Sequence, residues 1–205
     1  MELKHRPHTK GTKYLFKNKL LEKLTRTHIA VPLVFFTIIS SGLMIYGFKN
    51  NYLTALSALL LFLAGLIVFT LVEYIMHRFL FHLPPKTERS EKFAYTIHGV
   101  HHDYPKDKDR LAMPIPLSLL LSTGFFFLYK LMMGNLVFGF LPGFLIGYAS
   151  YLWIHYMVHA FQPPKNFWKI LWVHHGIHHY KAPNQAFGVS SPLWDLIFGT
   201  MPKKS

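Results

Sequence analysis

The sequence predicts an all-α membrane protein: four transmembrane helices in two hairpins, beneath a cytoplasmic histidine-rich helical cap. Three observations carry this. Of 205 residues, 51% are hydrophobic and only 15% charged, with a mean hydropathy of +0.23, the composition of a polytopic membrane chain. The apolar residues gather into four long stretches. The lysines, arginines and histidines gather on one side of those stretches.

The first stretch runs from about Ile29 to Phe48. The second runs from Tyr52 to Val72 and continues as helix past Glu73 toward His77. The third covers about Leu111 to Tyr129, with Pro114 and Pro116 suited to a first helical turn. The fourth covers about Leu136 to Ile154 and runs on through His155 and His159. Each is long enough to cross roughly 30 Å of hydrocarbon as a helix. The links Lys49–Asn51 and Gly134–Asn135 are short, which makes two hairpins. Residues 1–28 are expected to form a basic cytoplasmic N-terminal segment, and residues 29–205 the membrane domain. The basic opening stretch has no small-residue cleavage site beside a short apolar core, so no cleavable signal is expected.

Twenty of the twenty-two basic residues precede the first stretch, lie between the second and third, or follow the fourth; only Lys49 and Lys130 lie at the short links. The positive-inside rule makes the crowded side cytoplasmic and places both termini there. The net charge of +13 is thereby assigned to topology and anionic headgroups rather than to nucleic acid. With no cysteine, disulfides, thiolate zinc sites, iron–sulfur clusters and covalent c-type haem are excluded.

All fourteen histidines fall on that same side. Ten form four clusters: His77 with His82; His98 with His101 and His102; His155 with His159; His175 with His178 and His179. Spacings of three and four put rings on one helical face, as ligands of a shared ion require. Ten ligands exceed the needs of one ion, so the count predicts two. His77 and His82 are five apart, about 140° around an α-helix. They converge only if the helix bends or ends, as Pro84 and Pro85 would favour, or if they straddle two ions. Lone His5, His8 and His28 read as polar surface groups. His174 reads as a neighbour of the ligand set or as substrate-facing.

Imidazole suits zinc, copper, iron and nickel. The chain lacks the H-E-x-x-H of zinc proteases and the paired Glu-x-x-His of carboxylate di-iron bundles. A bis-histidine haem would leave most of the histidines unused. Two redox-active ions held by neutral imidazole remain, a set suited to activating dioxygen against an unactivated C–H bond. A site at the membrane surface suits a lipid chain arriving from the bilayer. A transporter would be expected to carry its ionisable ligands within the spans, and these spans are nearly free of them.

The string from Glu73-Tyr74 through His77-Arg78-Phe79-Leu80-Phe81-His82 resembles the first box of the membrane fatty acid hydroxylase / sterol desaturase superfamily. His98-Gly99-Val100-His101-His102 with Pro105, Asp107, Arg110-Leu111 and Pro114 resembles its fatty acid 2-hydroxylase branch. So does His175-Gly176-Ile177-His178-His179-Tyr180, followed by Phe187-Gly188-Val189, Trp194-Asp195 and Phe198-Gly199-Thr200. The resemblance covers roughly residues 70 to 202. It implies an Fe- and O2-dependent monooxygenase that hydroxylates C2 of a long-chain fatty acid or of a sphingolipid acyl chain, with the ten clustered histidines on a dimetal centre; zinc can replace iron in purified forms. Another lipid oxidase of the superfamily, acting on a sterol, carotenoid or alkyl lipid, is the neighbouring reading, and a non-catalytic metal-binding membrane protein the reading from another class.

Two departures stand out. Family members often carry a cytochrome b5 domain; the roughly thirty residues before the first span are too few for one, so a separate electron donor, cytochrome b5-like or ferredoxin-like, is expected. The third box has Tyr151-Leu152 and His159-Ala160, where the family pattern has Tyr-Asp and often a further histidine. Glu73 and Asp195 are candidate acceptors for the second N–H of a ligating imidazole, or structural hydrogen-bond partners. Tyr148, Tyr151 and Tyr180 are candidate substrate contacts, the first two with an aromatic-belt role as the plainer alternative. Arg110 reads as exposed or bound to lipid phosphate, with a substrate headgroup as the sharper option. Phe125, Phe126 and Phe127 read as lipid-facing or packing residues.

Overall fold

The computed structural model describes residues 7, 8 and 10–202. The expectations for Lys4, His5, Arg6, Lys203 and Lys204 fall outside the described residues. Among the described residues the regular elements are all helical. In order they are α1 (Lys19–Leu24), α2 (Ala30–Lys49), α3 (Ala55–Ile75), a π-helical turn (Met76–Phe81), α4 (Glu88–Ala94), a second π turn (Tyr95–Gly99), α5 (Val100–Asp103), a 3-10 turn (Lys108–Arg110), α6 (Ile115–Met133), a second 3-10 turn (Gly134–Leu136), α7 (Val137–Ala160), α8 (Lys169–Tyr180) and α9 (Leu193–Ile197).

Local chemistry sets the boundaries. Asn18 caps α1 by accepting the Leu20 and Leu21 N–H groups. Thr54 and Ser57 form a reciprocal capping box at α3, and Thr87 and Ser90 another at α4. Pro114 precedes α6 and Pro116 lies in its first turn. Gly134, at φ +60°, ends α6 in a conformation that costs a residue with Cβ dearly. The chain then reverses into α7.

Helix α7 is the axis of the bundle. Its first nine residues, Val137 to Leu145, are buried without a break, because other helices cover every side. Against α2 the contacts run in opposite order: Phe36 with Tyr148, Tyr46 with Phe138. Against α6 they also reverse: Phe125 with Phe144, Tyr129 with Phe140. Against α3 they run in the same order, Gly65 to Phe140 and Gly143, Phe69 to Gly147. Helices α3 and α7 are therefore parallel and deliver their C-terminal histidines to the same end.

The α3–α7 contact is made by glycine. A Cβ on Gly143 would lie 1.9 Å from the Phe62 carbonyl oxygen, and one on Gly65 2.1 Å from that of Phe140. Backbones this close are the small-residue packing by which helices associate in lipid, where hydrophobicity supplies no driving force between them. On the outside, Val34, Ile38, Leu56, Leu60, Leu120 and Leu131 stand exposed. Three stretches are long and apolar enough to cross a membrane: Ala30–Lys49, Ala55–Phe81 and Lys108–Ala160. The third takes in both α6 and α7, so the four expected spans lie within three continuous stretches.

Arg110 is not the exposed or lipid-binding residue that the sequence suggested. Its side chain is only 4% exposed and pairs with Glu22. It also donates to Thr25 Oγ1 (2.9 Å) and the Lys13 carbonyl (2.8 Å) and lies 3.4 Å from Asp107. Arg26 joins the cluster through Glu22 at 3.2 Å. The N-terminal segment is thus strapped to the loop before α6. Burial raises the Glu22 carboxyl, but the Leu15 and Phe16 N–H groups and the charges of Arg110 and Arg26 outweigh this and hold it below its ordinary value. A lowered carboxyl stabilises the fold at neutral pH and ceases to do so as acid takes the medium below the glutamate range. Arg110→Ala leaves Arg26 as the remaining cation for Glu22 and Asp107 and removes the bonds to Thr25 and Lys13, and is expected to cost about 1–3 kcal/mol. A lower midpoint of thermal unfolding in detergent and faster proteolysis near Lys17–Lys23 are the signs to measure.

Candidate dimetal centre

Two π turns set the register of the histidines. After α3 the helix widens at Met76–Phe81, and the His82 N–H donates to the His77 carbonyl five residues back at 3.3 Å, the i→i+5 pattern of a π bulge. Residues five apart, which diverge on an α-helix, then share a face: the two rings lie 5.1 Å apart between centroids. The second π turn carries His98 and leads into His101 and His102 on α5.

The ten clustered histidines sort into two groups of five. His77, His82, His98, His102 and His178 form the first; His101, His155, His159, His175 and His179 form the second. Within each group, one ring nitrogen from every residue lies within 4.8 Å of the others, and all ten are buried. The logic is reciprocal. The first group takes the 77/82 pair, the 98/102 pair and a single ring, His178, from α8. The second takes the 155/159 pair, the 175/179 pair and a single ring, His101, from α5. Each H-x-x-H-H triad divides between the groups.

The donor set fits metal ions. Among the described residues, His82 and His179 have both ring nitrogens buried without a hydrogen-bond partner, and His178 has its Nε2 so placed. Leaving such atoms unsatisfied costs about 1–3 kcal/mol each. Elsewhere Nε2 atoms face one another: His77 and His98 at 3.1 Å, His98 and His102 at 2.9 Å, His101 and His155 at 2.9 Å, His159 and His175 at 2.8 Å. Imidazoles at about 2.1 Å from one ion, at right angles, would stand about 3.0 Å apart. Burial, reinforced by His178, lowers the His82 imidazole to about 3. Burial and neighbouring rings hold His98, His101, His102, His175, His178 and His179 well below their ordinary value. The neutral ring is the form that ligates a metal.

Two rings of the first group are oriented from behind by backbone. His77 Nδ1 donates to the Phe187 carbonyl at 2.5 Å, and His178 Nδ1 to that of Gln185 at 2.8 Å. This leaves Nε2 of each for an ion. Glu73 reaches no imidazole hydrogen-bond partner of its own; it accepts Val189 N–H at 2.7 Å, Ser190 N–H at 2.9 Å and the Ser190 hydroxyl. Asp195 accepts Phe187 N–H (2.9 Å), Gly188 N–H (2.7 Å), the Thr200 hydroxyl (2.7 Å) and His174 Nε2 (2.9 Å). Burial raises the Asp195 carboxyl, but these donors hold it below its ordinary value. His174 is buried but belongs to neither group of five. His174→Ala removes one donor to Asp195 and no member of either group. It is expected to lower metal affinity or activity about 10–100-fold without abolishing it, as titration with a competing chelator would show.

Tyr148 and Tyr151 stack at 6.1 Å, and Tyr151 stacks on His155 at 5.5 Å, an aromatic path along α7 toward the second group. Tyr180 is 48% exposed beside His179. Phe126 and Phe125 pack against Phe138 and Phe144, while Phe127 is exposed. His28 accepts the Ala30 N–H at 3.3 Å at the start of α2, and His8 stacks on Tyr104; neither joins the centre. The backbone acceptors at Gln185 and Phe187 leave no trace in the sequence, since every residue has a carbonyl.

Residues 62–200 match the family model described as fatty acid hydroxylase. The chain is similar to a dihydroceramide fatty acyl 2-hydroxylase of Arabidopsis thaliana, 33% identical over 189 residues that cover 91% of this chain and 79% of the relative. It is similar to a ceramide very long chain fatty acid hydroxylase of Schizosaccharomyces pombe, 36% identical over 205 residues, covering 96% of this chain and 58% of the relative. A fatty acid 2-hydroxylase of Homo sapiens is 32% identical over 223 residues, covering 98% and 59%. The chain thus spans less than two thirds of the fission-yeast and human relatives. Among solved structures, full-length scs7p, in which only the hydroxylase domain is visible, superposes with a TM-score of 0.87 at 36% identity, over 95% of this chain and 74% of that one.

Proposed function

The chain belongs to the fatty acid hydroxylase family, and from that premise we propose that it is a membrane dimetal monooxygenase that hydroxylates C2 of a long-chain fatty acid, or of a sphingolipid acyl chain, with dioxygen. The observation that carries the proposal is the sorting of ten buried histidines into two five-imidazole groups at the end of a bundle whose outer faces are apolar.

The ten histidines serve as the metal ligands, with iron as the working metal. When bound, such ions supply the dioxygen activation that an unactivated C–H bond requires. The protein's part is to hold neutral imidazoles in place, to keep bulk water out and to present the acyl chain. The buried rings do the first two. Tyr148 and Tyr151 offer aromatic surface to a chain entering along α7, and Tyr180, half exposed beside His179, contacts the substrate from the cap. Helices α2, α3, α6 and α7 each cross the bilayer as two hairpins, within a membrane domain of residues 29–205. The histidine end, the basic segment 1–28 and both termini face the cytoplasm, by the distribution of lysine and arginine. A separate cytochrome b5-like or ferredoxin-like protein delivers electrons there.

Mass spectrometry of acyl lipids from a host expressing the protein tests the activity: 2-hydroxylated chains are expected, and their absence with the folded protein present counts against it. Protease applied to intact spheroplasts tests the sidedness. The C-terminus should be protected; cleavage there would reverse the topology.

A further inference from the structure

Gln185–Ser190 is a loop, buried from Ala186 to Val189, clamped between two carboxylates. Glu73, from the end of α3, takes the N–H groups of Val189 and Ser190. Asp195, on α9, takes those of Phe187 and Gly188. The approach is close: a Cβ on Gly188 would lie 2.1 Å from the Ser191 carbonyl oxygen and 2.9 Å from Asp195 Oδ2. Between them Ala186 is wholly buried and held at φ +57°, a left-handed conformation that a residue with Cβ adopts only where its surroundings enforce it. On either side of Ala186 are the two carbonyls, Gln185 and Phe187, that orient His178 and His77.

Both of those rings belong to the first group. In the second group, Nδ1 of His101, His175 and His179 has no hydrogen-bond partner among the described residues. The backing of the two groups is therefore unequal. We propose that Glu73 and Asp195 are positioning residues for one ion site only, that of His77, His82, His98, His102 and His178. They fix the loop, the loop fixes the Nδ1 protons of His77 and His178, and those protons fix which nitrogen faces the ion. The second site is set by helix geometry instead. This rests on the reading of the ten histidines as two ion sites.

The test is metal bound per purified full-length chain, loaded with zinc or ferrous iron and challenged with graded chelator. Wild type should hold about two ions. Glu73→Leu, which suits an apolar span but accepts no hydrogen bond, should lose one ion at about 10–100-fold lower chelator and keep the other. Glu73→Gln, whose side-chain carbonyl still accepts from Val189 and Ser190, should keep both. Adding His82→Ala to Glu73→Leu should remove no further ion; adding His179→Ala should remove the one remaining. If Glu73→Leu does not fold, Asp195→Asn, which turns one acceptor into a donor, is expected to give the same selective loss. Retention of both ions, parallel weakening of both, or loss of the second ion on adding His82→Ala would overturn the proposal. Wild type holding fewer than two ions would instead overturn the two-site reading beneath it.

Discussion

His155→Ala and His159→Ala are each expected to abolish lipid hydroxylation and to lower bound metal, while the protein still folds. Both rings leave α7 one turn apart and enter the same group of five. His155 faces His101 at 2.9 Å and His159 faces His175 at 2.8 Å, so each loss removes one imidazole of a facing pair. The helix itself is secured elsewhere, by the glycine contacts with α3 and the aromatic contacts with α2 and α6. Folding and ligation are therefore separable at these positions. His28→Ala is the control. It loses one bond to the Ala30 N–H, and its product yield should match wild type. Equal amounts of folded variant, assayed for 2-hydroxylated acyl lipid and for metal content, decide the matter. Wild-type activity in either alanine variant would remove α7 from the chemistry.

Gly143→Leu is expected to prevent assembly of the bundle altogether. The Cβ alone would sit 1.9 Å from the Phe62 oxygen and 2.7 Å from its carbonyl carbon, atoms of the backbone that no side-chain rotation can move. Relief requires α3 and α7 to separate, and they are the helices that bring the 77/82 and 155/159 pairs together. Gly65→Leu meets the same obstacle from the other side, 2.1 Å from the Phe140 oxygen. Gly124→Leu, on the exposed face of α6 with nothing within 4 Å of its Cβ, should behave as wild type. Size-exclusion chromatography in detergent reads the difference: aggregation for the first two, a single symmetrical peak for the third. A monodisperse, metal-binding Gly143→Leu protein would show that the close approach is dispensable.

The bundle and the ten histidines were legible in the sequence because both depend on periodicity. Long apolar runs fix the positions of the long helices to within a few residues, and i, i+3, i+4 spacings name the faces. The pair His77 and His82 marks where periodicity misleads. Their five-residue separation diverges on an α-helix and converges only on the π turn at Met76–Phe81, a local widening that residue types do not announce. The division of each H-x-x-H-H triad between two groups was equally hidden, since it depends on where α5 and α8 sit relative to α3 and α7. The sequence marks Glu73 as a candidate acceptor for an imidazole; it holds instead the backbone of Val189 and Ser190, 116 and 117 positions away. Arg110 looks like a surface group in the sequence because its partners Glu22 and Thr25 are more than eighty residues distant.

The proposed function is hydroxylation of C2 of a lipid acyl chain with dioxygen, at a site that the ten clustered histidines would hold. Its most direct test is the purified, iron-loaded protein in bilayer nanodiscs containing long-chain fatty acid or ceramide, supplied with an electron-donor system and isotopically heavy dioxygen. The product is then analysed by mass spectrometry with fragmentation that locates the hydroxyl. One heavy oxygen per product molecule is expected, at C2, and none with His155→Ala. Unlabelled product, a hydroxyl at another carbon, or a folded protein with two bound ions that leaves both lipids unchanged would contradict it.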